Sequence, residues 1–212
     1  MFGSMTGFAG SMTAKKIGAQ KAPLAWRVKN AMRWSFITGF IFNALAKLFS
    51  RYTGIVTITP VLEARHYNAK TRQWTDYGVL SYHVVTDAGV AFIVDDWDNS
   101  GTDMSTLNYH GCGTGTTAEA AGDTALVTES TTALNPDSTR ATGTRSQPTA
   151  PQYRSVGVVT FDASAAITEH GLFSQAATGG GTLWDRSVFS AINVASGDSI
   201  SFTYTATLSS GG

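Results

Sequence analysis

Residues 199–208 read SISFTYTATL and alternate strictly between polar and apolar side chains. Successive side chains of a β-strand point to opposite faces, so this pattern predicts a strand with one face on a core and the other in water. Further strands are predicted at residues 153–161, 167–173 and 183–189, separated by glycine- and serine-containing turns. Residues 52–212 are therefore predicted to be mainly β, as an antiparallel β-sandwich or a jelly-roll-like domain.

The first part of this β-rich region mixes strand and helix signals. Residues 54–60 and 73–85 favour strands, and residues 105–110 favour another. Thr86 stands where the N-cap of a short helix is expected, directly before an apolar run. The region is thus predicted to hold one or two short helices among its strands.

Residues 111–151 carry the loop signals of the chain. The run GCGTG at residues 111–115 predicts a glycine-rich turn, through either positive φ or close backbone packing. Thr116 and Glu119 have capping-box spacing, which could open a short helix. Residues 128–151 lack an apolar period and predict a long loop, or a limb that extends over a neighbouring molecule.

The N-terminal part, residues 1–51, differs from the rest in pattern. Residues 1–20 predict an extended arm that is ordered only when something binds it. Residues 22–50 predict one long helix, opened by Pro23, with a single narrow polar side and with Gly39 as a point of kinking or close packing. Because this helix is apolar nearly all round, it has to be buried somewhere. Its longest apolar stretch, residues 34–49, is shorter than the ~20 apolar residues that a membrane span needs and contains Lys47.

The charges are sorted along the chain. All 15 carboxylates follow residue 62, whereas 8 of the 15 basic residues lie at or before residue 51. Residues 1–51 therefore carry +8 and residues 52–212 carry −8, although the formal net charge is zero. This asymmetry predicts an acidic partner for the basic segment. The low charged content, 14%, favours surfaces that become buried in an assembly.

Three kinds of partner fit the basic, apolar segment, and a fourth hypothesis requires no partner. A nucleic acid would use the basic residues but not so much apolar surface, and a membrane interface would use both. A partner protein, or another copy of the chain, would bury the helix in a groove or a bundle. Alternatively the helix covers the core of its own chain. We weight the protein partner highest and expect eight contact residues: Trp26, Arg27, Arg33, Trp34, Phe36, Phe40, Phe42 and Phe49.

Several stretches resemble a family of structural proteins from tailed bacteriophages. They are residues 109–119 (YHGCGTGTTAE), 123–129 (DTALVTE), 167–173 (ITEHGLF), 183–189 (LWDRSVF) and 197–204 (GDSISFTY), with the closing SSGG at 209–212. Together they span roughly residues 75–212 and leave out the apolar, basic segment. The resemblance implies a component of a virion, located on the head, the neck or the tail. It implies no reaction, because the shared stretches contain no catalytic motif.

Candidate chemistry is sparse in this sequence. GCGTG lacks the spacing and the terminal Lys-Ser/Thr of a phosphate loop, and His110 and Cys112 lack a third orienting group for thiol catalysis. His66, His83, Glu169 and His170 have no metal-ligand spacing, and residues 95–101 lack the final bidentate carboxylate of a calcium loop. We therefore expect no enzyme, no catalytic or metal residues and no cofactor. Asp185 and Arg186 predict a local ion pair, and Arg140, Arg145 and Arg154 predict exposed charges or contacts with acidic neighbours.

The leading hypothesis is a non-enzymatic capsid decoration, or cement, protein of a virion. Arm, helix and the 128–151 limb would bind the major capsid protein or other virion proteins, and a closed homo-oligomer, a trimer first, is expected. A tail, neck or fibre component is the alternative, and a membrane-interacting virion protein is the second alternative.

Overall fold

The structure is a computed structural model that describes residues 19–82, 84–98, 101, 103–130 and 139–210. The predicted arm at residues 1–20 lies outside this range except for its last two residues, and His83 lies outside it too. The strands are β1 (Gln20–Lys21), β2 (Thr57–Asn68), β3 (Gln73–Ser81), β4 (Val84–Val85), β5 (Tyr109–Gly113), β6 (Ala141–Thr142), β7 (Thr144–Ser146), β8 (Gln152–Thr160), β9 (Ala165–Phe173), β10 (Leu183–Val194) and β11 (Ser199–Ser209). The helices are α1 (Leu24–Ala31), α2 (Trp34–Thr53) and α3 (Asp87–Trp97), with a single 3-10 turn at Met104–Thr106.

The described strands form two sheets, so the prediction of a mainly β protein is confirmed. One sheet has the order β1-β3-β2-β11-β8-β7 and the other β4-β10-β9-β5-β6. All neighbours are antiparallel except β1 and β3, which are parallel. The chain passes from β8 in the first sheet through the β9–β10 pair in the second and returns to β11, which lies between β2 and β8.

β11 has the half-buried character that its alternation predicts. Ile200, Phe202 and Tyr204 are completely buried, while the serine and threonine side chains between them are partly exposed. Ile200 and Phe202 belong to a core cluster that also contains Ile167 of β9 and Phe189 of β10, so both sheets bury side chains in the same core. Burial of a large apolar side chain contributes about 1.5–3 kcal/mol, and this shared core therefore holds the two sheets together.

Helix α3 begins where the sequence predicts. The Thr86 side chain accepts a hydrogen bond from the backbone N–H of Gly89 at 2.9 Å, which confirms it as the N-cap. Gly89 is packed so closely that a Cβ there would lie 2.6 Å from the carbonyl oxygen of Trp184. The cap and this contact fix α3 against β10.

The loop predictions between residues 105 and 151 are partly wrong. The expected strand at 105–110 begins only at Tyr109, and it runs through Gly111 to Gly113, so the first half of GCGTG is strand and not turn. No helix begins at Thr116. Residues 139–151 fold onto the chain's own sheets, since β6 pairs with β5 and β7 pairs with β8; residues 131–138 of the predicted limb lie outside the described residues. Short strands that pair at the edge of a sheet need no apolar periodicity, so β6 and β7 could not be predicted from the sequence pattern.

The single helix predicted for residues 22–50 is wrong, because the structure has two helices with a break at Met32 and Arg33. Arg33 has an extended backbone (φ −64°, ψ 137°) and forms the N-cap of α2, which ends at Gly54 in the left-handed region (φ 71°). α1 is tied to both sheets: the Asn30 side chain donates to Leu80 O of β3 at 2.8 Å and accepts from Ser190 N of β10 at 2.8 Å. The side-chain amide of Asn30 is buried with both hydrogen bonds made, which holds the end of α1 between the two sheets. The chain then turns at Met32 and Arg33 before α2 begins.

Candidate interaction surface

α2 packs against the β-sheets through small and polar residues. Gly39 lies under Tyr82, where a Cβ would come within 2.3 Å of the Tyr82 carbonyl oxygen. One turn further, the Asn43 side chain donates to the carbonyl oxygen of Pro60 in β2 at 3.3 Å, and Ser50 is buried. These contacts fix the rotation of α2 about its axis. Gly39 therefore allows close packing and does not kink the helix.

The opposite side of α2 carries its large apolar side chains, and they are exposed. We call six of them the α2 stripe: Trp34, Ile37, Ile41, Leu45, Leu48 and Tyr52. Their exposure ranges from 38% to 82%. They are spaced by three or four residues, which keeps them on one side of a straight helix. The sequence predicts that this helix is buried, but no part of the described chain covers the α2 stripe.

The six aromatic residues among the eight expected to contact a partner differ in their exposure. Trp26 and Phe36 face inward: the indole N–H of Trp26 donates to Ala191 O at 2.8 Å, and Phe36 packs edge-on against Tyr82. Trp34, Phe42 and Phe49 are exposed, whereas Phe40 is half exposed and rests one edge on Tyr82.

The two basic residues among the eight expected contact residues lie at or near the surface. Arg27 is exposed on α1 and Arg33 is half-buried at the break between the helices. Neither belongs to the α2 stripe, which contains no charged residue. The exposed face of α2 is therefore neutral and apolar, although the segment that contains it is basic.

The groups considered for chemistry are buried in the β-sheets. His110 has no exposed surface; its Nδ1 lies 3.0 Å from His170 Nε2 and its Nε2 lies 2.8 Å from Ser155 Oγ. Burial lowers the pKa of His110 to about 3. The Cys112 thiol lies 3.7 Å from Ser130 Oγ, and burial raises its pKa to about 12. A neutral thiol without access to solvent is a poor nucleophile, so this pair has the character of packed core.

Glu169 is the centre of a buried ion-pair network that the sequence did not reveal. Its carboxylate has no exposed surface and accepts hydrogen bonds from the backbone N–H groups of Gly115, Val127 and Thr128 at 2.8–3.1 Å. It also accepts two from the guanidinium of Arg186, at 2.9 and 3.1 Å. The glycines of GCGTG make room for it, since a Cβ at Gly115 would lie 2.5 Å from Glu169 Oε1.

The expected local pair of Asp185 and Arg186 is replaced by pairs across the sheet. Arg186 binds Glu169 and, at 2.9 Å, Asp123. Adjacent residues of a strand point to opposite faces, so Asp185 cannot follow Arg186 into this network. Burial, with the nearby Glu119 as a second cause, raises the pKa of Asp185 well above its usual value. Only a signal for long-range strand pairing could have identified the true partners.

Of the three arginines expected at the surface, Arg145 is exposed as expected, Arg154 is half-buried and Arg140 is buried. Arg140 is buried, pairs with Glu129 at 2.5 Å and lies over the ring of Phe173. Arg145 donates to the backbone carbonyl of Ser105, and Arg154 donates to Thr205 Oγ1 at 3.3 Å. These charges are therefore used within the chain.

The metal candidates are separated in space. His66 pairs with Asp198 at 3.0 Å on one side of the molecule's core, and Asp95 and Asp96 lie in the last turn of α3. Asp96 accepts from the backbone N–H of Met104 at 3.2 Å. Within residues 19–82, 84–98, 101, 103–130 and 139–210, no three His, Cys, Asp or Glu residues are grouped to hold a metal ion.

A second apolar feature is a groove between α3 and the ends of β2 and β11. It has a volume of about 420 Å³ and is lined by Ile58, Ile93, Trp97, Met104 and Leu208, among others. Trp97 is 79% exposed at its rim. The described molecule thus has an apolar groove beside α3 as well as the apolar face of α2.

Comparison with known proteins gives no match to any family model, any curated protein or any solved structure. Among the described residues, no helix combines the length and the hydropathy of a membrane span.

Proposed function

We propose that this chain is a non-enzymatic structural protein of a tailed-phage virion, and that it decorates or cements the capsid. The observation that carries the proposal is the exposed apolar face of α2. Soluble monomers rarely expose contiguous apolar patches beyond ~300–600 Å², and larger ones mark sites of association. The resemblance of roughly residues 75–212 to virion proteins supports the same conclusion, as does the low charged content.

The mechanism of cementing would be multivalent burial. The two sheets, proposed to pack as an antiparallel sandwich of the jelly-roll type, would form the body that sits on the lattice. α2 and the arm at residues 1–20 would reach the major capsid protein or neighbouring subunits. Each further contact is effectively intramolecular once the first has formed, so weak contacts add up to stable attachment.

The absence of a catalytic role is part of the proposal. Its support is that His110 and Cys112, the nearest pair of catalytic residue types, are buried and held in their neutral forms. Nucleophilic catalysis needs an activated nucleophile beside a base with access to substrate.

The experiment is to image the labelled chain on purified particles and to count it against the major capsid protein. Hundreds of copies over the head are the expected result. Copies confined to one vertex would instead make the chain a tail, neck or fibre component. No copies on the particle would end the virion proposal.

A membrane-interacting protein is the second candidate, favoured by one observation. The α2 stripe begins with Trp34 and ends with Tyr52, and such residues suit the interface between lipid and water. Flotation of the full chain with anionic vesicles tests it, and a chain that stays at the bottom of the gradient would exclude it.

A further inference from the structure

We infer that the α2 stripe is covered by the α2 stripe of a second copy of this chain. This inference deepens the proposed function, on which it rests for the view that the surface is used in assembly, by naming what occupies the surface. The stripe is Trp34, Ile37, Ile41, Leu45, Leu48 and Tyr52, as defined above.

The chain cannot cover the stripe by rotating α2. Rotation would move Gly39 out from under Tyr82 and bring a larger side chain into a space where even a Cβ has only 2.3 Å. It would also remove the hydrogen bond from Asn43 to Pro60 O. The contacts that hold α2 to the sheets are therefore the contacts that force its apolar side outward.

The exposed area is sufficient for a stable interface. Large side chains expose about 150–250 Å² each when free, so the exposed fractions of the six stripe residues amount to roughly 700 Å². Phe42 and Phe49, which flank the stripe on α2, add roughly 250 Å². A standard interface buries about 800 Å² on each partner, so the stripe and its two flanking residues provide about that area.

The chemistry of the face favours an identical partner. The stripe contains no charged residue, so two copies can be brought together without burying a charge. The Lys47 side chain lies on the other side of the helix, about 220° around from Trp34 at 100° per residue. The charge of Lys47 is therefore directed away from a second copy that binds the stripe.

The spacing of the stripe also suits helix-on-helix packing. Its members follow one another at three or four residues from 34 to 52, which is the 3.6-residue period of a straight helix. A stripe of this period stays on one side of a straight helix over five turns, so side chains from both halves of α2 face the same partner.

The test uses the full chain in two oppositely charged forms. One variant carries Ile41→Lys with Leu48→Lys, and the other carries Ile41→Glu with Leu48→Glu. Both positions are half exposed in the single chain, and Lys and Glu are good helix formers, so folding should be preserved. Val158→Lys is the matched control, because Val158 is 51% exposed on β8 and far from α2 in the sheet order.

Sedimentation equilibrium at roughly 50 µM measures the mass, with circular dichroism to verify that each variant is folded. We expect the wild type and Val158→Lys at a multiple of 22.4 kDa. Each charged variant alone should have its dissociation constant raised about 100-fold or more, because like charges meet across the interface. In an equimolar mixture of the two variants the dissociation constant should fall again by at least about tenfold, since only contact between two copies of α2 pairs Lys with Glu.

Three results would overturn the inference. They are a monomeric wild type, charged variants that associate like the wild type, and a mixture that shows no recovery. A monomer that floats with anionic vesicles would assign the stripe to a lipid surface instead. These outcomes are independent of particle imaging: an oligomer absent from particles contradicts the virion proposal alone, and a monomer present on particles contradicts this inference alone.

Discussion

Replacing Glu169 by Gln should destabilise this protein more than any other single loss of a charge among its described ion pairs. The carboxylate is completely buried and accepts five hydrogen bonds, two on Oε1 and three on Oε2. An amide keeps one oxygen and places an NH₂ group against the donors on the other side. Two or three of these donors lose their acceptor, and the charge of Arg186 loses its buried partner.

The magnitude follows from these losses. A buried donor left without an acceptor costs about 1–3 kcal/mol, and breaking a buried ion pair by removing one partner costs about 3–5 kcal/mol. Asp123 still pairs with Arg186, so we expect about 3–4 kcal/mol, the lower part of that range. This is a large part of the total stability of a typical domain, which is about 5–15 kcal/mol.

Urea unfolding followed by circular dichroism measures the change, and hydrogen exchange of residues 114–128 locates it. Those residues should lose protection first, because Gly115, Val127 and Thr128 donate to the carboxylate. Lys21→Gln is the control: it breaks a 2.6 Å ion pair whose lysine side chain is 70% exposed, and such pairs contribute under about 1 kcal/mol. If Glu169→Gln costs no more than Lys21→Gln, the network does not hold the loop and the reasoning is wrong.

Three further predictions concern pH, thiol reactivity and helix packing. The pKa of His110 is lowered to about 3 in the folded chain, so the unfolded chain takes up the proton first as the pH falls below about 6.5. The contribution of His110 to the unfolding free energy should therefore fall by up to about 1.4 kcal/mol per pH unit between pH 6.5 and 5. It is measured as the difference in slope between the wild type and His110→Gln, because Asp185, whose pKa is raised by burial, acts in the opposite direction. Cys112, with its pKa raised to about 12 by burial, should react with a thiol reagent at pH 8 only on unfolding. Gly39→Val should cost about 1–3 kcal/mol, because its side chain meets Tyr82 O, and should release α2 to proteolysis.

Each of these has an outcome that would contradict it. Equal slopes of unfolding free energy against pH for the wild type and His110→Gln between pH 6.5 and 5 would mean that His110 is not held neutral by burial. Rapid labelling of the native thiol would place Cys112 near the surface. A Gly39→Val variant with unchanged unfolding and unchanged cleavage would mean that α2 does not need its close approach to Tyr82; Gly122→Val is the matched control, since a Cβ there meets nothing within 4 Å.

Local pattern was enough to predict the strands of the C-terminal part. β8, β9, β10 and β11 lie where the sequence places them, within a few residues at each end. β11 alternates strictly over residues 199–208, and that pattern depends only on the geometry of a strand. The N-cap at Thr86 was predictable for the same reason, because the cap bond joins residues three apart.

Contacts between residues far apart in the sequence could not be predicted from local pattern. The partner of Arg186 was expected at the next residue, yet it lies 17 residues away in Glu169 and 63 away in Asp123. The glycines of GCGTG were expected in a turn, but Gly113 is a strand residue that leaves room for Thr128 O. In both places the deciding neighbour comes from another strand, and nothing in the local sequence names it.

Period and composition are local properties, so the sequence predicts helical, apolar and basic character between residues 22 and 50, but not the break at Met32 and Arg33. Which side of α2 faces out depends on contacts with distant residues. Asn30, bonded to both sheets, ends α1 early, and Gly39 and Asn43 then set the rotation of α2. A helix with apolar residues nearly all round has no preferred inner side, so a few close contacts outweigh its hydrophobicity and leave the α2 stripe exposed for association.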